Sequence, residues 1–141
     1  MTKSQATWAA GLFEGEGTIC ARTSNKPRKD GTKLSQPLLR LNMCNAEPVS
    51  LIASLFGIGS VREFKPPSAK AHWNPQTSWQ VSGWQGCLAV FKTMYPYLSK
   101  VRREQFIRVF DKCAASSSQE GSHNGYRGSA LWKEMRSAYL G

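Results

Sequence analysis

Apolar and polar residues alternate along four short stretches of the chain, and alternation with a period of two is typical of strands with one buried face. The predicted strands are Thr18–Ser24, Leu38–Cys44, Val61–Phe64 and Ser78–Ser82. Apolar residues at helical spacing predict helices over residues 7–14, 46–56, 85–94, 102–115 and 130–140. We expect Thr7 to cap the first helix, with Gly15 and Gly17 ending it. Asn45 is expected to cap the second, which Gly57 and Gly59 end.

The order is helix, two strands, helix, two strands, then helices, which predicts an α+β fold. One antiparallel four-stranded sheet with helices packed on a single face satisfies it. Residues 1–115 form the predicted core, the Ser- and Gly-rich residues 116–128 a linker, and residues 129–141 a C-terminal helix. A chain of 141 residues is long enough to bury one hydrophobic core.

The face of the predicted sheet that points away from the core is rich in hydrogen-bonding side chains. It would carry Arg22, Ser24, Arg40, Asn42, Arg62, Ser78 and Gln80. Such side chains make directional hydrogen bonds to base edges in the major groove, although an ordinary solvated face is the simpler alternative. The formal net charge of +10, from 19 Lys and Arg against 9 Asp and Glu, favours a polyanion partner. We therefore predict that the sheet binds double-stranded DNA.

Other classes of protein are disfavoured. No apolar run approaches the roughly 20 residues that span a bilayer, so no membrane partner is expected. The polar N-terminus lacks the apolar segment of a secretory signal. The four cysteines and two histidines form no zinc-binding pattern, which indicates free buried thiols. We expect an intracellular protein of a reducing compartment, in a bacterial or phage cytoplasm or an organelle, and not a secreted one.

Residues 9–17 read Ala-Ala-Gly-Leu-Phe-Glu-Gly-Glu-Gly. This segment resembles the motif of the LAGLIDADG homing endonucleases, with Gly11, Leu12 and Gly17 identical and Glu at both acidic positions. The predicted element order also resembles the αββαββα core of that family over roughly residues 5–110. The motif occurs once in this chain, so the resemblance is to the single-motif type, which works as a homodimer.

The resemblance implies that the motif helices of two subunits cross closely, because glycines leave room for the backbones to approach. The implied dimer interface comprises Trp8, Gly11, Leu12, Glu14 and Gly15. It also implies that Glu16, at the second acidic position, is the catalytic carboxylate. Glu16 and Gly15 are then the metal ligands, for Mg²⁺, with Mn²⁺ or Ca²⁺ substituting for binding. Glu14 is expected to cap a helix or to form interface bonds.

Two further segments resemble active-site regions of the family. Residues 95–105 resemble its Pro-aromatic-Leu segment, which precedes a basic active-site residue. Helical register favours Arg102 as that cation, and Lys100 stays open as the alternative. Asn45 resembles the position of a water-orienting amide, and it can also cap a helix.

Basic residues in the two long loops complete the expected DNA contacts. Lys26, Arg28, Lys29 and Lys33 are the expected DNA contacts of the first loop, the last three on phosphates. Lys70 and His72 are those of the second, where His72 would contact sugar or base or, as the alternative, pack within the loop. The predicted function is a homodimeric DNA endonuclease making a metal-dependent double-strand break in a long, pseudo-palindromic site. The alternatives are a catalytically silent DNA-binding regulator and a maturase that binds intron RNA. A basic scaffold protein, such as a ribosomal component, ranks last.

Overall fold

In the part of the chain that the structure describes, five α-helices and one four-stranded sheet follow one another in the predicted order. The computed structural model describes residues 1–24, 27, 31, 33–65, 74–116 and 123–140. The elements are α1 (Lys3–Glu16), β1 (Gly17–Thr23), β2 (Ser35–Met43), α2 (Ala46–Phe56), β3 (Ser60–Phe64), β4 (Gln76–Ser82), α3 (Trp84–Met94), a 3-10 turn (Tyr95–Tyr97), α4 (Lys100–Ser116) and α5 (His123–Leu140). The predicted α+β class and its αββαββα core are confirmed.

The strands form one antiparallel sheet in the order β1-β2-β4-β3. Ile19 lies opposite Leu39, and Leu41 lies opposite Trp79, so these side chains share one face. All four are buried. The helices cover this face, which leaves the other face of the sheet without a helical layer.

Helix α1 is longer than predicted at both ends. Thr2 caps it, because Thr2 and Gln5 form a capping box in which each side chain accepts the other's backbone N–H, at 3.1 and 2.8 Å. The prediction of Thr7 as the cap was wrong: its hydroxyl lies inside the helix and donates to the carbonyl of Lys3. Gly15 was expected to break the helix but is helical, and the chain leaves the helix only after Glu16.

Several other elements begin earlier than predicted. β2 begins at Ser35, β4 at Gln76 and α4 at Lys100. α5 begins at His123, so its first turns occupy residues that the sequence had suggested for a linker. The helix is held against the core by Trp132, which is completely buried. By contrast, the ends of α2 are as predicted, with Asn45 as its N-cap and a left-handed Gly57 at its C-terminus.

The core beneath the sheet contains a cluster of aromatic rings. The ring of Phe91 on α3 lies 5.0 Å from that of Phe106 and 5.4 Å from that of Phe110, both on α4. Trp132 on α5 packs 4.9 Å from Phe110, and Phe13 of α1 lies 5.2 Å from Phe106. Large buried aromatic side chains contribute strongly to folding energy, so this cluster joins α1, α3, α4 and α5 into one layer.

An ion pair fastens α5 to α4. The carboxylate of Asp111 accepts hydrogen bonds from Arg136 Nε and Nη2, both at 2.8 Å, and from the indole nitrogen of Trp132 at 2.9 Å. Hydrogen bonding by Arg136 lowers the pKa of Asp111 below its ordinary value, although partial burial opposes the shift. A carboxyl whose pKa is lower in the folded state stabilises the fold above its unfolded pKa, and this stabilisation is lost as the pH falls through the folded pKa.

We therefore expect Asp111→Asn to lower the Tm by roughly 2–4 °C at pH 7. The difference between wild type and variant should shrink as the pH falls through the lowered pKa of Asp111, because the wild-type carboxyl then becomes protonated. Thermal unfolding followed by circular dichroism at pH 7 and pH 3 measures both values. An equal difference at the two pH values would contradict the assigned role of the charge.

The four cysteines divide into two pairs by exposure. Cys87 and Cys113 are buried, and burial raises the pKa of each thiol to about 12, so neither is a thiolate at neutral pH. Cys20 and Cys44 are exposed, so the prediction of four buried thiols was wrong for these two. Among the described residues, no helix combines the length and apolar character needed to cross a membrane.

Candidate nucleic-acid interface and active site

Glu16 is the last residue of α1, and its side chain is exposed at the junction with β1. The backbone N–H of Gly17 donates to the carbonyl of Phe13 and closes the helix. A Cβ on Gly17 would overlap the ring of Phe13, so this position accommodates only glycine without rearrangement. The buried Phe13 thus fixes the point at which the chain turns into the sheet, and with it the position of Glu16.

The outer face of α1 has glycine, and therefore no side chain, at two positions. A Cβ built on Gly11 or on Gly15 meets no atom within 4 Å, and both glycines are exposed. Trp8, one turn before Gly11, keeps 38% of its surface exposed, and Leu12 is half-buried. The opposite face, with Ala9 and Ala10, is completely buried in the chain's own core. α1 therefore presents a smooth and partly apolar face to the outside.

Glu14 points back into its own chain. Its carboxylate accepts hydrogen bonds from the backbone nitrogen of Ser99 at 2.7 Å and from the Ser99 hydroxyl at 3.0 Å. It also forms an ion pair with Arg102, with 3.5 Å between Oε2 and Nε. Glu14 thus caps the start of α4, the helix-capping role expected for it. Both oxygens of its carboxylate already have partners within the chain, so they are poorly available for bonds across a dimer interface.

The two candidate cations differ sharply. Arg102 Nη2 donates to the carbonyl oxygen of Glu14 at 2.9 Å, and Nη1 donates to Gln105 at 3.0 Å. The side chain of Lys100 is 89% exposed, and within the part of the chain that the structure describes it forms one contact, a 3.9 Å ion pair with Glu104 one turn away. Helical register had favoured Arg102, whereas the geometry leaves Lys100 free to reach an external phosphate.

Asn45 follows β2 and begins α2. Its side-chain oxygen accepts a hydrogen bond from the backbone N–H of Glu47 at 3.1 Å, so the capping role is confirmed. Gly17 pairs with Leu41, four residues before Asn45, so Glu16 and Asn45 lie at the same end of the sheet. The start of α4, held by Glu14, comes to this end as well.

The face of the sheet without helices carries the predicted polar residues. The ladder sets Arg22 opposite Gln36, Arg40 between Thr18 and Gln80, and Ser78 between Asn42 and Arg62. Gln36 and Ser82 share this face as well. Gln36 was not predicted, because β2 begins at Ser35 and not at Leu38. Ser82 ends the predicted fourth strand but was left out of the predicted DNA contacts. Ser24 and Lys33 lie beyond the strand ends, and both are exposed.

Three polar atoms of this face are buried and have no hydrogen-bond partner among the described residues. They are Arg40 Nε, Asn42 Oδ1 and the hydroxyl oxygen of Ser78. Buried polar groups are normally paired, because an unpaired one forfeits its hydration without compensation. Asn42 follows Leu41, the partner of Gly17, so this unpaired cluster lies at the Glu16 end of the face.

The remaining predicted DNA contacts lie between β1 and β2 or between β3 and β4 in the sequence. Lys26, Arg28, Lys29, Lys70 and His72 lie outside the described residues. They keep the status of predictions. Ser99, by contrast, is a residue that the sequence analysis missed, although a serine directly before a helix is a frequent N-cap and could have indicated it.

The donors at the Glu16 end of the sheet suit a hard divalent cation. Mg²⁺ is usually bound through one or two carboxylates, with water and substrate phosphates completing its ligands. Glu16 supplies an exposed carboxylate, and Gly15 beside it has no side chain to obstruct a ligand. Among the described residues, no three His, Cys, Asp or Glu side chains gather into a metal site. Glu16 thus supplies one carboxylate of the kind that such a site uses.

Solved structures of homing endonucleases resemble this chain along nearly its whole length. I-CvuI, in complex with its target in the presence of Ca, gives a TM-score of 0.54 at 14% identity, covering 95% of this chain and 96% of that one. The archaeal intron-encoded I-Vdi141I, complexed with DNA, gives 0.55 at 15% identity, covering 93% and 98%. The LAGLIDADG meganuclease I-CpaMI, bound to uncleaved DNA, gives 0.58 at 12% identity, and 94% of this chain covers 48% of it.

No protein-family profile and no curated protein matches the sequence. The likeness is therefore one of architecture, in the sheet and the helices over one of its faces. The chain has the fold of the LAGLIDADG homing endonucleases.

Proposed function

We propose that this protein is a homodimeric, site-specific DNA endonuclease that makes a metal-dependent double-strand break in a long, pseudo-palindromic site. The observation that carries the proposal is the exposed carboxylate of Glu16. It lies between the bare outer face of α1 and the polar face of the sheet. Three features thus adjoin one another: a helix face suited to a partner subunit, a carboxylate, and a surface suited to the base edges of DNA.

The dimer is supported by two independent features. Gly11 and Gly15 leave the outer face of α1 free of obstruction, so a second α1 can approach closely. The chain also matches about half of I-CpaMI, whereas it matches nearly all of I-CvuI. A unit of this size therefore corresponds to one half of a longer enzyme. In a two-fold dimer the site on DNA inherits the symmetry of the protein.

DNA binding is supported by the composition of the open sheet face. Arg22, Arg40 and Arg62 lie on three different strands of that face, and the net charge of the chain is +10. Arginine pairs with guanine through two hydrogen bonds in the major groove, and amide side chains pair similarly with adenine. Release of counterions from the phosphates supplies affinity that is independent of sequence.

The active-site roles follow from what each side chain leaves available. Two Glu16 carboxylates, one from each subunit, would hold Mg²⁺, which stabilises charge on a scissile phosphate and activates water. Lys100 would stabilise negative charge on the phosphate, because its ammonium is exposed. Asn45 uses its oxygen as a helix cap, so its amide nitrogen is the group left to orient a water.

Cleavage of a randomised DNA library tests the proposal. Purified protein is incubated with the library in Mg²⁺ and, separately, in EDTA, and cut ends are sequenced. We expect one long, nearly palindromic site, cut only in the presence of metal. Binding without cutting, with Mg²⁺, Mn²⁺ and Ca²⁺ each supplied in turn, would instead support the silent regulator. Preferential binding of a folded intron RNA over DNA would support the maturase.

A second measurement tests the reading surface. Arg40→Ala and Arg62→Ala should each relax preference at one base pair per half-site, by about 1–3 kcal/mol, because a bidentate pair with a base is lost. Lys33→Ala is the matched control, since a residue that contacts phosphate should weaken binding equally for all sequences. Binding selections from a randomised half-site compare the three variants. A uniform loss for Arg40→Ala would mean that it contacts the backbone.

A further inference from the structure

We propose that Arg102, together with Glu14 and Ser99, is a positioning residue that fixes Lys100 relative to Glu16. This inference rests on the proposed endonuclease function. It assigns Arg102 to the alignment of the active site, where helical register alone had suggested a cation in contact with DNA.

The three residues form one closed set of contacts between α1 and α4. The Glu14 carboxylate holds both the backbone nitrogen and the hydroxyl of Ser99. The same hydroxyl accepts a hydrogen bond from the backbone nitrogen of Arg102 at 3.2 Å. The Arg102 guanidinium closes the set, with Nε beside the Glu14 carboxylate and Nη2 on the Glu14 carbonyl. Each residue of the set therefore contacts both of the others.

The guanidinium of Arg102 has few ways to leave this position. Each of its three nitrogens has a partner in the chain, and only 19% of the side chain is exposed. Its carbon also lies 5.6 Å from the centre of the Phe13 ring, a cation–π distance. Contact with a phosphate would require breaking several of these interactions, whereas Lys100 would have to give up only one long ion pair.

The contacts among Glu14, Ser99 and Arg102 join the two segments that carry the candidate catalytic groups. Glu14 is two residues before Glu16 in the last turn of α1, and Ser99 immediately precedes Lys100 at the start of α4. Because Glu14 binds Ser99 through two hydrogen bonds, the end of α1 and the beginning of α4 cannot shift independently. The relative placement of carboxylate and ammonium is thus determined by contacts that touch neither DNA nor metal.

The expected magnitudes separate this role from simple support of the fold. A partly exposed ion pair contributes little to folding, and the Asp111–Arg136 pair, which joins α4 to α5, is a comparable example. A displacement of about 1 Å in a catalytic group can nevertheless reduce a rate by roughly 100-fold. Weakening the contacts among Glu14, Ser99 and Arg102 should therefore lower the cleavage rate much more than the stability of the fold.

The test uses single-turnover cleavage of the preferred site by full-length Glu14→Gln, Ser99→Ala, Arg102→Lys and the Glu14→Gln/Arg102→Lys double variant. Each single variant should cleave about 10- to 100-fold more slowly, as is typical when a supporting residue is removed. DNA affinity should stay within about threefold, because none of these groups contacts DNA, a change below the tenfold that corresponds to 1.4 kcal/mol. The double variant should be no slower than the worse single one, because residues of one set are not additive.

Asp111→Asn is the matched control, since it breaks an ion pair on the same helix away from Glu16. It should lower the Tm while leaving the cleavage rate unchanged below the melting range. A second readout is the Mg²⁺ concentration that gives half of the maximal cleavage rate. It should rise severalfold in the Glu14, Ser99 and Arg102 variants and stay unchanged in Asp111→Asn. If Glu14→Gln unfolds, Ser99→Ala carries the same comparison with a smaller change.

The outcomes are distinguishable. Wild-type cleavage by Glu14→Gln and Ser99→Ala, with a loss confined to Arg102→Lys, would overturn the inference and return Arg102 to direct contact with DNA. A loss of DNA affinity in place of rate would overturn it as well. No cleavage by the wild type in any metal would refute the proposed function, and this inference with it.

Discussion

Glu16→Gln should bind the preferred DNA site and fail to cut it. The amide keeps the size of the side chain but removes the negative charge that a hard divalent cation requires. Cleavage should fall below detection, whereas DNA affinity should stay within about tenfold of the wild type, or roughly 1.4 kcal/mol. Gel-shift titration in Ca²⁺ and cleavage in Mg²⁺, on the same duplex, measure the two effects separately.

Glu134→Gln is a matched control, because it removes an exposed carboxylate from α5 without touching α1 or Lys100. It should leave cleavage unchanged. A Glu16→Gln protein that cuts at the wild-type rate would show that another group holds the metal. Equal loss of binding and cutting would mean that Glu16 acts in DNA binding or folding.

Gly11→Leu and Gly15→Leu should each abolish the dimer while leaving the monomer folded. Within one chain, a side chain at either position meets nothing within 4 Å, so the substitution is expected to cause no clash. In a close crossing of two α1 helices, the added leucine would instead force the backbones apart. Sedimentation should show a monomer, and cleavage of both strands should be lost with it.

Ser137→Leu adds the same side chain at an exposed position of α5 and should leave the dimer intact. Gly17→Leu provides the opposite control, because its side chain would collide with Phe13 and disturb the monomer itself. A monodisperse Gly11→Leu dimer with wild-type circular dichroism would remove α1 from the interface.

The sequence predicted the order of elements because the alternation along the strands is unusually regular. Ile19, Leu39 and Val81 are buried while Arg22, Arg40 and Gln80 share the other face, as the period of two requires. The end of α1 was harder, since Gly15 was interpreted as a breaker. A helix tolerates a single glycine at a cost of about 1 kcal/mol, and the buried Ala9, Ala10 and Phe13 offset it.

The start of α1 could have been predicted from the residues alone. Thr2 and Gln5 have the spacing of a capping box, which is a stronger signal than the isolated Thr7. The extent of α5 could not be predicted in the same way. Gly125 and Gly128 disfavour a helix, and the buried Trp132 and its contacts with α3 and α4 are tertiary.

The identity of the active-site cation depended on contacts that no local pattern contains. Glu14 and Arg102 are 88 residues apart, and their pairing follows from the packing of α1 against α4. The helical register of α4 can suggest Arg102 as a candidate cation. It cannot show that the nitrogens of its guanidinium already have partners within the chain. The exposure of Cys20, on the other hand, follows directly from its alternation with Ile19 and Ala21.

The three unpaired atoms at Arg40, Asn42 and Ser78 make the open sheet face intolerant of wrong partners. Each buried polar group that stays unpaired costs about 1–3 kcal/mol. A duplex that supplies complementary atoms removes this cost, whereas one that covers the face without supplying them makes it permanent by excluding water. Discrimination would then arise mainly from penalties on incorrect sequences. A change at Ser78, which lies between Asn42 and Arg62, should therefore alter which sequences are rejected.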